Sequence, residues 1–152
     1  MASTIARVAV PCFAATVALA GLLALPRPTE AGEPKVDFVK HVKPILESAC
    51  VKCHGPVKPK GRYRLDSRDL AFKGGEVALA QKSAAVVPGK PEESLMVAFV
   101  EATAPDKAKH VIPMPPKKEG KTLTDEQKAL LRKWISEGAA WPDGVTLQAP
   151  KK

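Results

Sequence analysis

Two cysteines and a histidine lie close together in the run Cys50-Val51-Lys52-Cys53-His54. This Cys-x-x-Cys-His spacing is typical of c-type haem attachment, because two thiols so placed on a helical turn can add to the two vinyl groups of one porphyrin. Both cysteines then become thioethers, and the adjacent imidazole of His54 can bind the iron as the proximal ligand. The motif therefore predicts one covalently bound haem c per chain.

Two other uses of these residues are weaker. A disulfide or a thioredoxin-like redox pair needs a strand before the motif and a βαβ pattern around it, and neither is evident. A zinc site built from Cys50, Cys53 and His54 normally has a second pair of ligands. The remaining histidines of the mature chain, His41 and His110, are single and distant. Haem attachment is the favoured interpretation.

A haem iron has a sixth position, for which the candidates are Met114, Met96, His110 and His41. Met114 lies between Pro113 and Pro115, which stiffen its loop. Met96 falls on the apolar face of a predicted helix, where core packing is the simpler role. His41 lies on the helix before the motif and could hardly reach the far face of a porphyrin. The pattern favours Met114, with His110 as its rival.

The elements around the motif are helical. Apolar residues recur with a helical period in three segments, about 37–49, 91–100 and 124–138. Asp37 is a plausible N-cap, Thr124 and Gln127 form a capping box, and Gly138 is placed to end the last helix. Ser67 to Phe72 could add a short turn, and the tail after Pro142 is expected to be loose. Three or four helices with long loops predict an all-α domain whose core is completed by a haem.

The first residues have the features of a secretory signal peptide, since Arg7 precedes an apolar run from Val8 to Leu25 and small residues flank Glu30. We expect residues 1–31 to be removed and residues 32–152 to form the mature domain. The alternative is an uncleaved membrane anchor. Either way the protein is expected to be periplasmic or otherwise exported.

The chain has a formal net charge of +8. Its lysines are scattered and its single tyrosine offers no series of aromatic residues for base stacking, so no nucleic-acid role is expected. Contact with a membrane is expected only if the N-terminal segment is uncleaved. The lysines and arginines either form an ordinary solvated surface or attract an acidic redox partner protein, and the sequence does not distinguish these two roles.

An ordered set of motifs extends this pattern along the mature chain: Cys50-x-x-Cys53-His54-Gly55, Gly61-Arg62-Tyr63-Arg64-Leu65-Asp66-Ser67, Gly74-Gly75, Pro88-Gly89-Lys90-Pro91-Glu92-Glu93-Ser94-Leu95, Met114-Pro115-Pro116, and Leu123-Thr124 through Trp134-Ile135-x-x-Gly138-Ala139. The set resembles the planctomycete-type cytochrome c domain, a branch of the class I cytochromes c, over a core of residues 36–142. The resemblance implies an all-α fold in which the first and last helices cross near the haem. It also implies His54 as the proximal and Met114 as the distal ligand, with a carbonyl of Pro56 or Pro59 orienting His54.

The expected function is electron transfer by a His/Met-ligated haem, without enzymatic activity. The alternative is a haem enzyme or gas sensor, peroxidase-like, with an open distal site. That alternative needs a distal acid–base residue, for which His110 is the candidate, and it needs Met114 to face away from the iron.

Overall fold

The computed structural model describes residues 35–119 and 121–150, which form helices joined by loops. A π-helical turn, Phe38–Val42, leads directly into helix α1, Lys43–Ala49. The later α-helices are α2, Val51–His54; α3, Arg68–Lys73; α4, Glu76–Gln81; α5, Leu95–Glu101; and α6, Asp125–Ser136. Short 3-10 turns lie at Lys60–Arg62, Pro91–Glu93 and Lys117–Glu119. These ranges contain isolated bridges but no strand, so the predicted all-α class is confirmed.

The expected signal peptide or anchor, residues 1–31, lies outside the described residues. Across residues 35–119 and 121–150, no helix combines the length and the apolar character needed to cross a bilayer.

The start of the first helix is shaped by Asp37 and Pro44. The Asp37 carboxylate accepts a hydrogen bond from the backbone N–H of Lys40 at 2.9 Å, as expected of an N-cap. The Lys43 N–H donates to the Phe38 carbonyl, five residues back, so the turn is a π-turn. Pro44 then lies in the first turn of α1, where a helix tolerates the missing N–H.

Helix α6 has the boundaries that its sequence predicts. The backbone N–H of Gln127 donates to the Thr124 hydroxyl at 3.2 Å, and the Thr124 N–H donates to the Gln127 side chain at 3.0 Å. This reciprocal pair satisfies backbone donors that a helix N-terminus otherwise leaves free. At the other end Gly138 has a φ of +100°, which glycine adopts without strain.

Aromatic side chains join the two ends of the domain. The ring centroid of Phe38 lies 5.6 Å from that of Trp134 on α6 and 4.1 Å from that of Trp141. Phe72 of α3 presents its edge to both tryptophans. Trp134 is almost completely buried, and its Nε1 donates to the Ala140 carbonyl at 2.8 Å. The first helical turn therefore packs against the last helix.

The region between α2 and α5 holds more helix than expected. Helix α3 corresponds to the short turn predicted near Ser67 to Phe72. Helix α4 lies in a segment whose sequence favours neither helix nor strand. Both helices have six residues and are linked by Gly74 and Gly75. With these two helices the described residues contain six α-helices, where the sequence predicted three or four.

The C-terminal tail is packed, so the expectation of a loose tail after Pro142 is wrong. Leu147 is buried in the core, and its N–H donates to the Asp66 carbonyl at 3.1 Å. Trp141 Nε1 donates to the Val145 carbonyl at 2.8 Å. The Gln148 N–H donates to the Glu47 carboxylate of α1 at 2.9 Å. The hydrophobic core therefore extends beyond residue 142, to Leu147.

Candidate functional site

Cys50, Cys53 and His54 lie on one nearly continuous helical stretch formed by α1 and α2. The Cys50 N–H donates to the Leu46 carbonyl at 2.9 Å, and the Cys50 carbonyl accepts from the N–H groups of Cys53 and His54 at 3.0 and 2.9 Å. Both cysteines are free thiols of intermediate burial. The local backbone thus presents two thiols and an imidazole within little more than one helical turn.

Within the described residues, the two thiols do not lie in a cluster of side chains that could bind a metal ion together. Burial, helped by the neighbouring Cys53, raises the pKa of the Cys50 thiol to about 12, so that thiol is neutral near pH 7. Residues 35–119 and 121–150 contain no group of three or more His, Cys, Asp or Glu side chains arranged to hold a metal ion.

The imidazole of His54 is partly withdrawn from solvent. Burial lowers its pKa, an effect that weak hydrogen bonding to the backbone of Tyr63 and Lys60 partly offsets. Its buried Nδ1 makes no hydrogen bond of ordinary geometry, and neither the Pro56 nor the Pro59 carbonyl accepts from it. A lowered pKa favours the neutral imidazole, which is the form that binds iron.

The segment after the Cys-x-x-Cys-His motif packs beside His54. The ring centroids of Tyr63 and His54 are 5.2 Å apart, and the Tyr63 hydroxyl donates to the Ala71 carbonyl at 2.9 Å. The Leu65 N–H donates to the His54 carbonyl at 2.7 Å. The Gly61 to Ser67 motif thereby joins the proximal side of the site to α3.

A cleft beside α2 brings the predicted site residues together. It is lined by Ser48, Ala49, Cys50, Lys52, Cys53, His54, Lys60, Val100, Met114, Pro115, Pro116, Glu119 and Lys121. All four residues proposed from the sequence, Cys50, Cys53, His54 and Met114, are in this lining. The Met114 N–H donates to the Phe99 carbonyl at 2.9 Å, which ties the methionine loop to α5.

The other candidates for the sixth ligand lie elsewhere. Met96 is buried in the hydrophobic core, the role its helical position indicated. His41 and His110 are exposed and do not line the cleft. His110 has a φ of +50° in the turn that joins Asp106 to Val111. Of the four candidates, the structure brings Met114 alone to the cysteines and His54.

Charged residues at the edge of the cleft were missing from the sequence-based site. The Glu119 carboxylate lies 3.5 Å from the Lys60 ammonium and 3.9 Å from that of Lys52. Lys121 donates to the Ser48 carbonyl at 2.8 Å. These contacts fasten the loop after Met114 to the cysteine-bearing side. Because each one joins residues far apart in sequence, no local spacing could have indicated it.

The chemistry of the cleft fits a c-type haem. It offers two free thiols for thioether formation, an imidazole that burial keeps neutral, and a thioether in the same lining. The cleft has a volume of about 100 Å³ for water-sized groups.

A protein-family model matches part of the chain. Residues 50–118, less than half of the chain, match a family model described as planctomycete cytochrome C. The matched segment begins at Cys50 and includes His54, Tyr63 and Met114. No curated protein and no solved structure matches the chain.

Proposed function

We propose, from the match of residues 50–118 to the planctomycete cytochrome C family model, that the chain belongs to the cytochrome c family and is an electron carrier with one haem c per chain. Membership of the cytochrome c family implies a covalent haem. We assign the thioether links to Cys50 and Cys53, and the axial positions to His54 and Met114. The observation that carries this proposal is that Met114, remote in sequence, lines the same cleft as the attachment motif.

The residues around the cleft suit electron transfer better than substrate chemistry. Bound haem supplies a ferric–ferrous couple, and a methionine ligand raises its potential. Cys50 and Cys53 would hold the group to α2, while Val100, Pro115 and Pro116 limit access of water from the methionine side. With both axial positions filled, no open iron site is left for a substrate. His110, the residue an open distal site would use, lies outside the cleft lining.

We also propose that the protein acts in the periplasm or another exported location. Support comes from the signal-like pattern of residues 1–31. The two remaining cysteines give further support, because free thiols two residues apart would be open to oxidation in an oxidising compartment. Thioether bonds to haem would protect both thiols. The intact mass of the mature protein, described next, tests both removal of residues 1–31 and attachment of the haem.

Intact mass spectrometry after expression with a c-type maturation system should find residues 32–152 plus the mass of one haem. Replacing both cysteines, Cys50→Ala with Cys53→Ala, should abolish the covalent haem, because no thiol remains to form a thioether. Lys52→Ala is the matched control on the same helical turn and should keep the haem. A wild-type chain without haem mass would contradict the proposed function. A chain that retains residues 1–31 would instead support the anchor.

For the redox partner we propose an acidic protein that docks beside the cysteines. The side chains of Lys52 and Lys60 line the cleft edge yet are 76% and 62% exposed, so they remain accessible despite their long contacts to Glu119. The second-order rate of electron transfer to an acidic acceptor should fall as salt is added, because screening weakens attraction between exposed charges. Stopped-flow measurements over a salt series check this.

Charge-removal variants locate the docking surface. Lys52→Gln combined with Lys60→Gln should slow the reaction at low salt and flatten its salt dependence. Lys40→Gln combined with Lys82→Gln removes equal charge from exposed positions outside the cleft lining and should have the smaller effect. Equal effects of the two double variants would contradict a docking surface at the cleft.

A further inference from the structure

The buried Nδ1 of His54 makes no hydrogen bond of ordinary geometry. Iron-binding histidines usually donate their second ring N–H to a carbonyl or carboxylate, which fixes the plane of the imidazole. The His54 backbone is held by the bonds to Cys50 and Leu65, but those bonds leave the rotation of the ring free. The ring is therefore held by the packing of its neighbours together with the polar backbone of Tyr63 and Lys60 beside it.

Tyr63 is the aromatic neighbour that packs on this ring. Their centroids are 5.2 Å apart and their planes are inclined by 54°. The far end of Tyr63 is anchored, because its hydroxyl donates to the Ala71 carbonyl in α3 at 2.9 Å. A tyrosine held at its hydroxyl cannot easily rotate away, so it presents a fixed surface to His54.

The backbone of Tyr63 is held as well. Its N–H donates to the Lys60 carbonyl at 3.3 Å. Behind it, Gly75 approaches so closely that a β-carbon there would lie 2.8 Å from the Tyr63 nitrogen and would also collide with the Gly61 carbonyl. Because residue 75 has no side chain, the backbone of Gly61 and Tyr63 can lie in close contact with it.

From these contacts we propose that Tyr63 is a positioning residue that sets the rotation of the His54 imidazole plane, an inference that rests on the proposed haem function. A well-formed hydrogen bond to a carbonyl usually performs this task, and here a half-buried ring, anchored at its hydroxyl, contributes to it. The rotation of an axial imidazole governs its overlap with the iron orbitals and hence the distribution of unpaired spin in the ferric protein. Tyr63 is not itself a ligand.

The test uses the haem-loaded protein and reads the proton NMR shifts of the haem methyl groups in the ferric state, together with the reduction potential. Tyr63→Leu should rearrange the order of the methyl resonances and shift the potential, because the ring that restrains His54 is lost. Tyr63→Phe should cause smaller changes than Tyr63→Leu, because the ring is kept and only its anchoring hydrogen bond to Ala71 is lost. Phe72→Leu, which alters a ring packed on Trp134 and Trp141, is the control and should lower stability without changing that order.

Gly75→Ala provides a route that leaves the tyrosine side chain intact. The added β-carbon should displace the Tyr63 backbone and change the order of the haem methyl resonances, as Tyr63→Leu does. If the Tyr63→Leu protein takes up no haem, the Gly75→Ala protein tests the positioning role in its place. Unchanged methyl shifts in low-spin, haem-loaded Tyr63→Leu and Gly75→Ala would overturn the positioning role and leave the proposed function intact. Absence of covalent haem from the wild-type chain would overturn the proposed function instead.

Discussion

Replacing Met114 with alanine should convert the ferric haem from low spin to high spin and open the iron to external ligands. The reason is that Met114 is the sole candidate for the sixth position found in the lining shared by Cys50, Cys53 and His54. A methyl group in its place cannot bind iron, so water or a vacant position replaces the thioether. Optical spectra should lose the methionine-to-iron charge-transfer band, and stopped-flow mixing should show fast cyanide binding.

Two variants separate ligation from general damage to the protein. Met96→Ala removes the same side chain from the buried core and should cost about 2–5 kcal/mol of stability while leaving the spectrum unchanged. His110→Ala removes the rival ligand from an exposed turn and should leave both stability and spectrum close to wild type. A Met114→Ala protein that keeps its low-spin spectrum would show that the sixth ligand is assigned to the wrong residue.

The substitution with the largest effect on folding should be Trp134→Ala, at about 3–5 kcal/mol in the free energy of unfolding. Trp134 packs against the rings of Phe38, Phe72 and Trp141 and donates a hydrogen bond to the Ala140 carbonyl. Truncation leaves a large cavity between the first helical turn and α6 and leaves that carbonyl unpaired. Because domains are stable by only about 5–15 kcal/mol, the loss is a large fraction of the total.

Urea unfolding of the haem-loaded protein, followed by circular dichroism at 222 nm, checks this value because far-ultraviolet signal reports helix content directly. Leu79→Ala is a suitable control, since that side chain is 65% exposed and its truncation should change stability by less than about 0.5 kcal/mol. A Trp134→Ala protein within about 1 kcal/mol of wild type would contradict the central packing role of this residue.

Local signals predicted the ends of the helices well. The Thr124–Gln127 capping box, the Asp37 cap and the left-handed Gly138 are all present, because each depends on contacts within a few residues. The packed tail was not predictable in this way. Leu147 is held by the Asp66 carbonyl and by the core, and a lone leucine in a polar tail has no periodicity that marks it as buried.

The same division applies to the site. The sequence alone determined the placement of Cys50, Cys53 and His54, because a short helical stretch sets the relative positions of residues three and four apart, whatever surrounds it. The tertiary structure decided that Met114 rather than His110 lies in the cleft, that Glu119 reaches Lys52 and Lys60 across its edge, and that Tyr63 rather than a proline carbonyl lies against His54. Those contacts join loops and helices distant along the chain. They depend on how the core packs, which no local spacing of residues encodes.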